Sequence, residues 1–137
     1  MRVVLDTNVL LSACWKPDGL EALLVNLAIH GHYTACVSRE IWSEYSEVLL
    51  REKFAALQPR TVELLMALKP HVCVVEPETA VVAASDESDN RFLECAGAAE
   101  AAILITGNLK HFPEQWGPTR IMNARQFLSE FPVYLAA

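Results

Sequence analysis

The chain has 137 residues, 53% of them hydrophobic and 20% charged, a composition that excludes disordered and fibrous classes and suits a single globular domain over 1–137. Seventeen acidic residues against 11 basic ones give a net charge of −6, which argues against a duplex-DNA binder held by a basic face. The most apolar stretch, Ala98 to Thr106, is interrupted by Glu100, and the opening turns acidic too early for a secretory signal, so no membrane span and a cytoplasmic location are expected.

Arg2 to Leu5 is a short apolar run that reads as a buried parallel strand and ends at Asp6 in a polar turn. After the Pro17-Asp18-Gly19 turn, Leu20 to Ile29 carries helical spacing. Tyr33 to Val37 reads as a second strand, and Ser38 is placed to cap a helix over Arg39 to Arg51. Thr61 to Leu68 reads as a further helix stopped by Pro70, and His71 to Val75 as a third strand. A polar loop, Glu76 to Ser88, leads to a helix opened by Asp89 and closed near Gly97. Ala101 to Ile105 and Thr119 to Met122 are the remaining strands, with a last helix over Ala124 to Glu130. Strands alternating with helices imply a three-layer α/β/α sandwich around a mostly parallel sheet, whose sites lie at the carboxyl ends of the strands.

Four polar residues fall on that expected rim. Asp6 and Asn108 each follow a strand. Glu44 sits at the edge of an apolar stripe formed by Ile41, Trp42, Tyr45, Val48 and Leu49, while Glu40 and Glu47 lie further round the helix. Asp89 precedes Phe92, Leu93 and Ala96 by three, four and seven residues, which puts it on a buried face where a charge needs a partner. Each also has a plainer reading. Asp6 suits an Asx-turn, Glu44 an amphipathic boundary, Asp89 a helix N-terminal acid and Asn108 a strand-to-loop turn. Converging carboxylates without a nearby basic partner are most simply held by a divalent cation. Glu94 falls on the opposite face and is expected in solvent. Lys110 and His111 offer cations beside the rim, and Trp15 an aromatic face for a base. The four cysteines are widely spaced and form no Cys-x-x-Cys pair, and His30-Gly31-His32 reads as a turn.

Taken in order, Val4-Leu5-Asp6-Thr7-Asn8-Val9-Leu10, Ser38 to Leu49 around Glu44, Asp89 to Ala96, and Ile105-Thr106-Gly107-Asn108 resemble the PIN-domain family of metal-dependent ribonucleases, which includes the toxins of many prokaryotic toxin–antitoxin pairs. The resemblance implies a PIN-like fold. It makes Asp6, Glu44 and Asp89 the ligands of Mg²⁺ or Mn²⁺, and Asn108 the occupant of a fourth position that is commonly Asp. It further implies hydrolysis of RNA to 5′-phosphate and 3′-hydroxyl ends, a small antitoxin as partner and a homodimer, for which the apolar segment Phe131 to Ala137 offers one contact. Loss of the fourth charge favours one tight ion and a weaker second, with Asp86 as a partial substitute. It also leaves open a catalytically weakened PIN-like domain that binds RNA or protein. A haloacid-dehalogenase-like phosphatase would need a second Asp where Asn8 stands, and a receiver domain an acid pair at the first strand.

Overall fold

The computed structural model describes residues 1–136; Ala137, the last residue of the expected domain and of its apolar tail, lies outside the described residues. The elements are β1 (Arg2–Leu5), α1 (Thr7–Trp15), α2 (Leu20–Ile29), β2 (Thr34–Val37), α3 (Arg39–Leu49), α4 (Gln58–Leu68), β3 (Val72–Val74), α5 (Asn90–Ala99), β4 (Ile103–Ile105), β5 (Gln115–Trp116), β6 (Thr119–Met122) and α6 (Ala124–Glu130). The strands form one sheet in the order β3-β2-β1-β4-β6-β5, parallel throughout except for β5 at its edge. The fold is a three-layer α/β/α sandwich. Val3, Val4 and Leu5 are fully buried, as are Leu104 and Ile105, because central parallel strands are covered on both faces. Helix α5 packs across β1, β2 and β4 with α3 beside it, while α2 touches α1, α4 and α6.

The chain reverses direction in the sheet between β1 and β4: from β1 it runs outward to β2 and β3, then returns to β4 on the other side. In open parallel sheets such a switch point leaves a crevice beyond the strand ends, and ligands bind there. Val3, Val4 and Leu5 pair with Ile103, Leu104 and Ile105. Asp6 and Thr106 therefore emerge side by side, and the Asp6 amide donates to the Ile105 carbonyl at 2.9 Å.

Several expectations are corrected. The polar turn after the first strand is a helix, α1, which starts immediately after Asp6. Its polar opening, Thr7-Asn8, hides the buried set Val9, Leu10, Ala13 and Cys14 that drives it against α2. Trp15 is consequently the last residue of that helix, half exposed and edge-on to Phe54. Helix α4 begins three residues earlier than the apolar spacing suggests, since Pro59 fits a first turn whose N–H groups lack helical acceptors. Gly97 does not end α5. The helix runs to Ala99 and is closed by Glu100 in the left-handed region (φ 52°, ψ 45°).

Glu94 is not in solvent. Its side chain is only 9% exposed, accepting from the Val81 amide at 2.9 Å and facing the Arg91 guanidinium at 3.0 Å, because the loop after β3 folds over that side of α5. The tail after α6 turns back on the core: Tyr134 stacks on Phe127 with centroids 5.6 Å apart, and Phe131 packs on both. Only Val133 and Leu135 of its large apolar side chains remain exposed among the described residues.

Candidate active site

Asp6 links β1 to α1 without any intervening loop. Its backbone is extended (φ −66°, ψ 148°), which makes it the residue preceding the helix, yet its carboxylate does not cap that helix. Instead Oδ2 accepts from the Thr106 hydroxyl at 2.7 Å. Thr106 also accepts the Asn108 amide, and the Gly107 amide donates to Asn8 Oδ1 at 3.0 Å, so the turns after β1 and β4 are stitched together. A Cβ on Gly107 would meet Asn8 Oδ1 at 3.4 Å, an ordinary van der Waals contact, so the bond to Asn8 does not by itself demand a glycine. Asn8 thus braces the neighbouring turn through its side chain rather than the Asp6 carboxylate.

Glu44 arrives from α3, whose first turn is fixed by Ser38 Oγ accepting from the Ile41 amide at 3.1 Å. Ile41, Tyr45 and Leu49 are the buried residues of the expected stripe. The Tyr45 hydroxyl donates to the carbonyl of Leu5, so the residue beside Glu44 is tied to the residue before Asp6. Glu44 Oε2 accepts from the Thr7 hydroxyl. Glu47, as expected, points away and pairs loosely with Arg51 at 3.6 Å.

Asp89 ends a short turn, Glu87–Asp89, and directly precedes α5. It makes no capping bond; the acid that accepts local donors is Asp86, whose Oδ1 takes the Ser88 amide and hydroxyl at 3.0 and 2.9 Å. Asp89 Oδ2 lies 3.0 Å from His111 Nδ1, with its side chain 14% exposed. The Asn108 side-chain amide is 3.2 Å from Nδ1 and 3.1 Å from Nε2 of the same ring. His111 therefore faces Asp89 and Asn108. Asn108 itself is not left-handed, with φ −132° and ψ 67°.

Burial pushes the Asp6 carboxyl up to about 6, with a further push from the charge of Asp89; the Thr106 hydroxyl and the amides of Thr7 and Asn8 act the other way. Glu44 is raised by burial and by Asp6, against the Thr7 hydroxyl. Asp89 is raised by burial and by Asp86 and Glu44, against His111. Each of the three acids thus feels at least one of the others. Asp6 is met by the Thr106 hydroxyl and the Thr7 and Asn8 amides, and Glu44 by the Thr7 hydroxyl with the charge of Arg51 acting from further off; neither acid forms an ion pair among the described residues. A set of anionic oxygens that raise one another's pKa fits a hard divalent cation, whose charge reverses that repulsion.

Three residues that hold this arrangement lie outside the sequence-based candidates. The contact of Thr106 with Asp6 is set by the register of β1 on β4, and that of Tyr45 with Leu5 by the packing of α3 on the end of β1. Asn90 is fully buried; its Oδ1 accepts from the Ala83 and Ala84 amides at 3.0 and 2.8 Å, and its Nδ2 donates to Glu87 at 2.9 Å. It fastens the polar loop to the start of α5. Its signal was a polar residue at a position flanked by Phe92 and Leu93 on the same helix.

The sequence profile of the PIN domain matches residues 2–110. An uncharacterized protein of Methanocaldococcus jannaschii is 30% identical over 112 residues, covering 79% of this chain and 71% of that protein. In fold, the chain is similar to a chain in the crystal structure of VapBC2 from Rickettsia felis bound to a DNA fragment from their promoter, with a TM-score of 0.60 and 15% identity over 90% of this chain and 98% of that one. The profile match, which takes in far more than half of the chain, establishes that this chain belongs to the PIN-domain family.

Proposed function

We propose that this chain is a divalent-metal-dependent endoribonuclease acting on single-stranded or structured RNA in the cytoplasm, and the toxin of a toxin–antitoxin pair. The observation that carries the reading is Asp6, a buried carboxylate at the switch point of the sheet with no ion-pair partner among the described residues. Asp6, Glu44 and Asp89 come from three separate stretches of sequence yet act electrostatically on one another, and neither Asp6 nor Asp89 makes a side-chain cap to its helix.

In this reading Asp6, Glu44 and Asp89 hold Mg²⁺ or Mn²⁺. The ion would supply a nucleophilic water at neutral pH and offset charge on the phosphoryl oxygens. The residues around it do the positioning. Thr106 and Thr7 fix one oxygen each of Asp6 and Glu44, leaving the second oxygen of each for the ion. Asn108 positions a ligand or a water through its amide. The family, and a similar fold in VapBC2, support an antitoxin that covers the acidic rim and inserts an Arg or Lys among the carboxylates. A homodimer completes the proposal, with Val133 and Leu135 as exposed apolar residues available to it.

The test is cleavage of end-labelled single-stranded RNA with Mg²⁺ or Mn²⁺, with EDTA and Asp6→Ala in parallel. Metal-dependent cutting that disappears in the variant supports the nuclease. A second reading, a binding module with a weakened metal site, is favoured by Asn108, which brings an amide where an acid is common and turns it to His111. Wild type that fails to cut, yet binds RNA or protein equally with and without metal, would support that reading instead.

A further inference from the structure

One ligand atom from each of Asp86, Asp89 and His111 lies within 4.8 Å of the others. The three come from two segments that meet only in the folded chain: the turn before α5 and the Leu109–His111 turn after β4. Asp89 thus belongs to this cluster, through its 3.0 Å contact with His111, and also feels the charge of Glu44. Asp86 spends Oδ1 on Ser88, which keeps its carboxyl below the usual range, and Oδ2 makes no hydrogen bond among the described residues.

We propose that Asp86, Asp89 and His111 form a second divalent-cation site that shares Asp89 with the first and, through its imidazole nitrogen, takes a transition-metal ion in preference to Mg²⁺. This rests on the metal-dependent reading above. On an octahedral ion with ligand distances of about 2.1 Å, adjacent ligand atoms are about 3 Å apart and opposite ones about 4.2 Å. The 3.0 Å between His111 Nδ1 and Asp89 Oδ2 matches an adjacent pair, and the third ligand atom, from the exposed Asp86 carboxylate, lies within 4.8 Å of both. The missing fourth acid is thereby replaced from elsewhere in the chain. Asn108 takes a different task, holding the His111 ring with its amide at 3.1–3.2 Å. Mg²⁺ dehydrates reluctantly and prefers oxygen, whereas an imidazole nitrogen gains affinity for first-row transition metals.

The experiment is a titration of the full chain with Mn²⁺ at pH 7.5, read by electron paramagnetic resonance of free and bound ion, with pulsed measurement of ¹⁴N coupling on the bound ion. Wild type is expected to hold two Mn²⁺ per chain with nitrogen coupling. His111→Ala should hold one and lose the coupling, and Asp86→Asn should bind the second ion at least tenfold more weakly; both positions are surface-accessible, and circular dichroism checks their folds. Mg²⁺ should displace the first Mn²⁺ at concentrations at least tenfold below those needed for the second. One Mn²⁺ in wild type without nitrogen coupling, lost in Asp6→Asn, overturns the second site and leaves the nuclease reading standing. Two Mn²⁺ retained in His111→Ala overturns it as well. No bound Mn²⁺ in wild type removes both.

Discussion

The acidic rim has two halves built on different principles. Asp6 and Glu44 are carried by regular elements, β1 and α3, and are locked by hydroxyls from Thr106, Thr7 and, through the Leu5 carbonyl, Tyr45. Asp86, Asp89 and His111 sit on turns, and their positions depend on how a polar loop is fastened. Asp6 is buried and costly to ionise, Glu44 and Asp89 are half-buried, and Asp86 is exposed, with Asp89 already partly compensated by an imidazole. Anionic charge is thus stored where water is excluded, and exchange with solvent is left to the side where it is not.

The largest test of this contrast is Asp6→Asn. RNA cleavage in Mn²⁺ should fall by roughly two orders of magnitude or more, because the buried ligand contributes charge that no neighbour replaces. The same variant should be more stable than wild type in EDTA at pH 7.5, by roughly 2–3 kcal/mol in urea denaturation, since it removes a carboxylate whose pKa moves from 3.8 to about 6 on folding. A loss of stability would show that Asp6 is structural first.

Next comes the pH dependence. A carboxyl raised in the folded state binds its proton more tightly there, so the metal-free protein should lose stability as pH rises from 3.8 through about 6 and gain it back on acidification. The raised pKa values of Glu44 and Asp89 add with the same sign. With saturating Mn²⁺ the trend should reverse, because ions bind the deprotonated acids and stabilise by mass action. Thermal melts between pH 5 and 7.5, with EDTA and with Mn²⁺, should therefore slope in opposite directions, and parallel slopes would contradict the buried half as a cation site.

Asn90→Ala addresses the other half. Two loop amides lose their acceptor, which should cost about 2 kcal/mol and speed hydrogen exchange at Ala83 and Ala84, with little change at Asp6. The smallest effect is expected from Tyr45→Phe, which removes one buried hydroxyl and should cost about 1 kcal/mol while lowering cleavage only modestly, through Glu44. If Asn90→Ala disturbed Asp6 as much as Tyr45→Phe does, the two halves would be one unit.

The same contrast decides what the sequence could reveal. Asp6 and Glu44 were legible because strand ends and helix faces are periodic, and the apolar stripe from Ile41 to Leu49 points to the edge where Glu44 lies. The three-layer sheet and most element bounds followed from the same periodicity. Helix α1 did not, since its polar first turn resembles the end of a strand and its buried face starts only at Val9. The role of His111, the burial of Glu94 and the tether at Asn90 depend on contacts across the polar loop, for which local spacing carries no information. The extension of α5 past Gly97 similarly turns on Glu100 accepting a left-handed backbone that a glycine more often supplies.

The fastening by Asn90 is indifferent to what it fastens. It grips main-chain amides, so almost any side chain can stand at the exposed position 83 without loosening the loop, proline, which has no N–H to give, excepted, while Ala84 also packs on the core. The exposed stretch before Asp86 is therefore free to vary in charge and shape over the course of descent. A nuclease that must change its substrate, or escape one inhibitor and acquire another, could rewrite that stretch while its acids stay where they are.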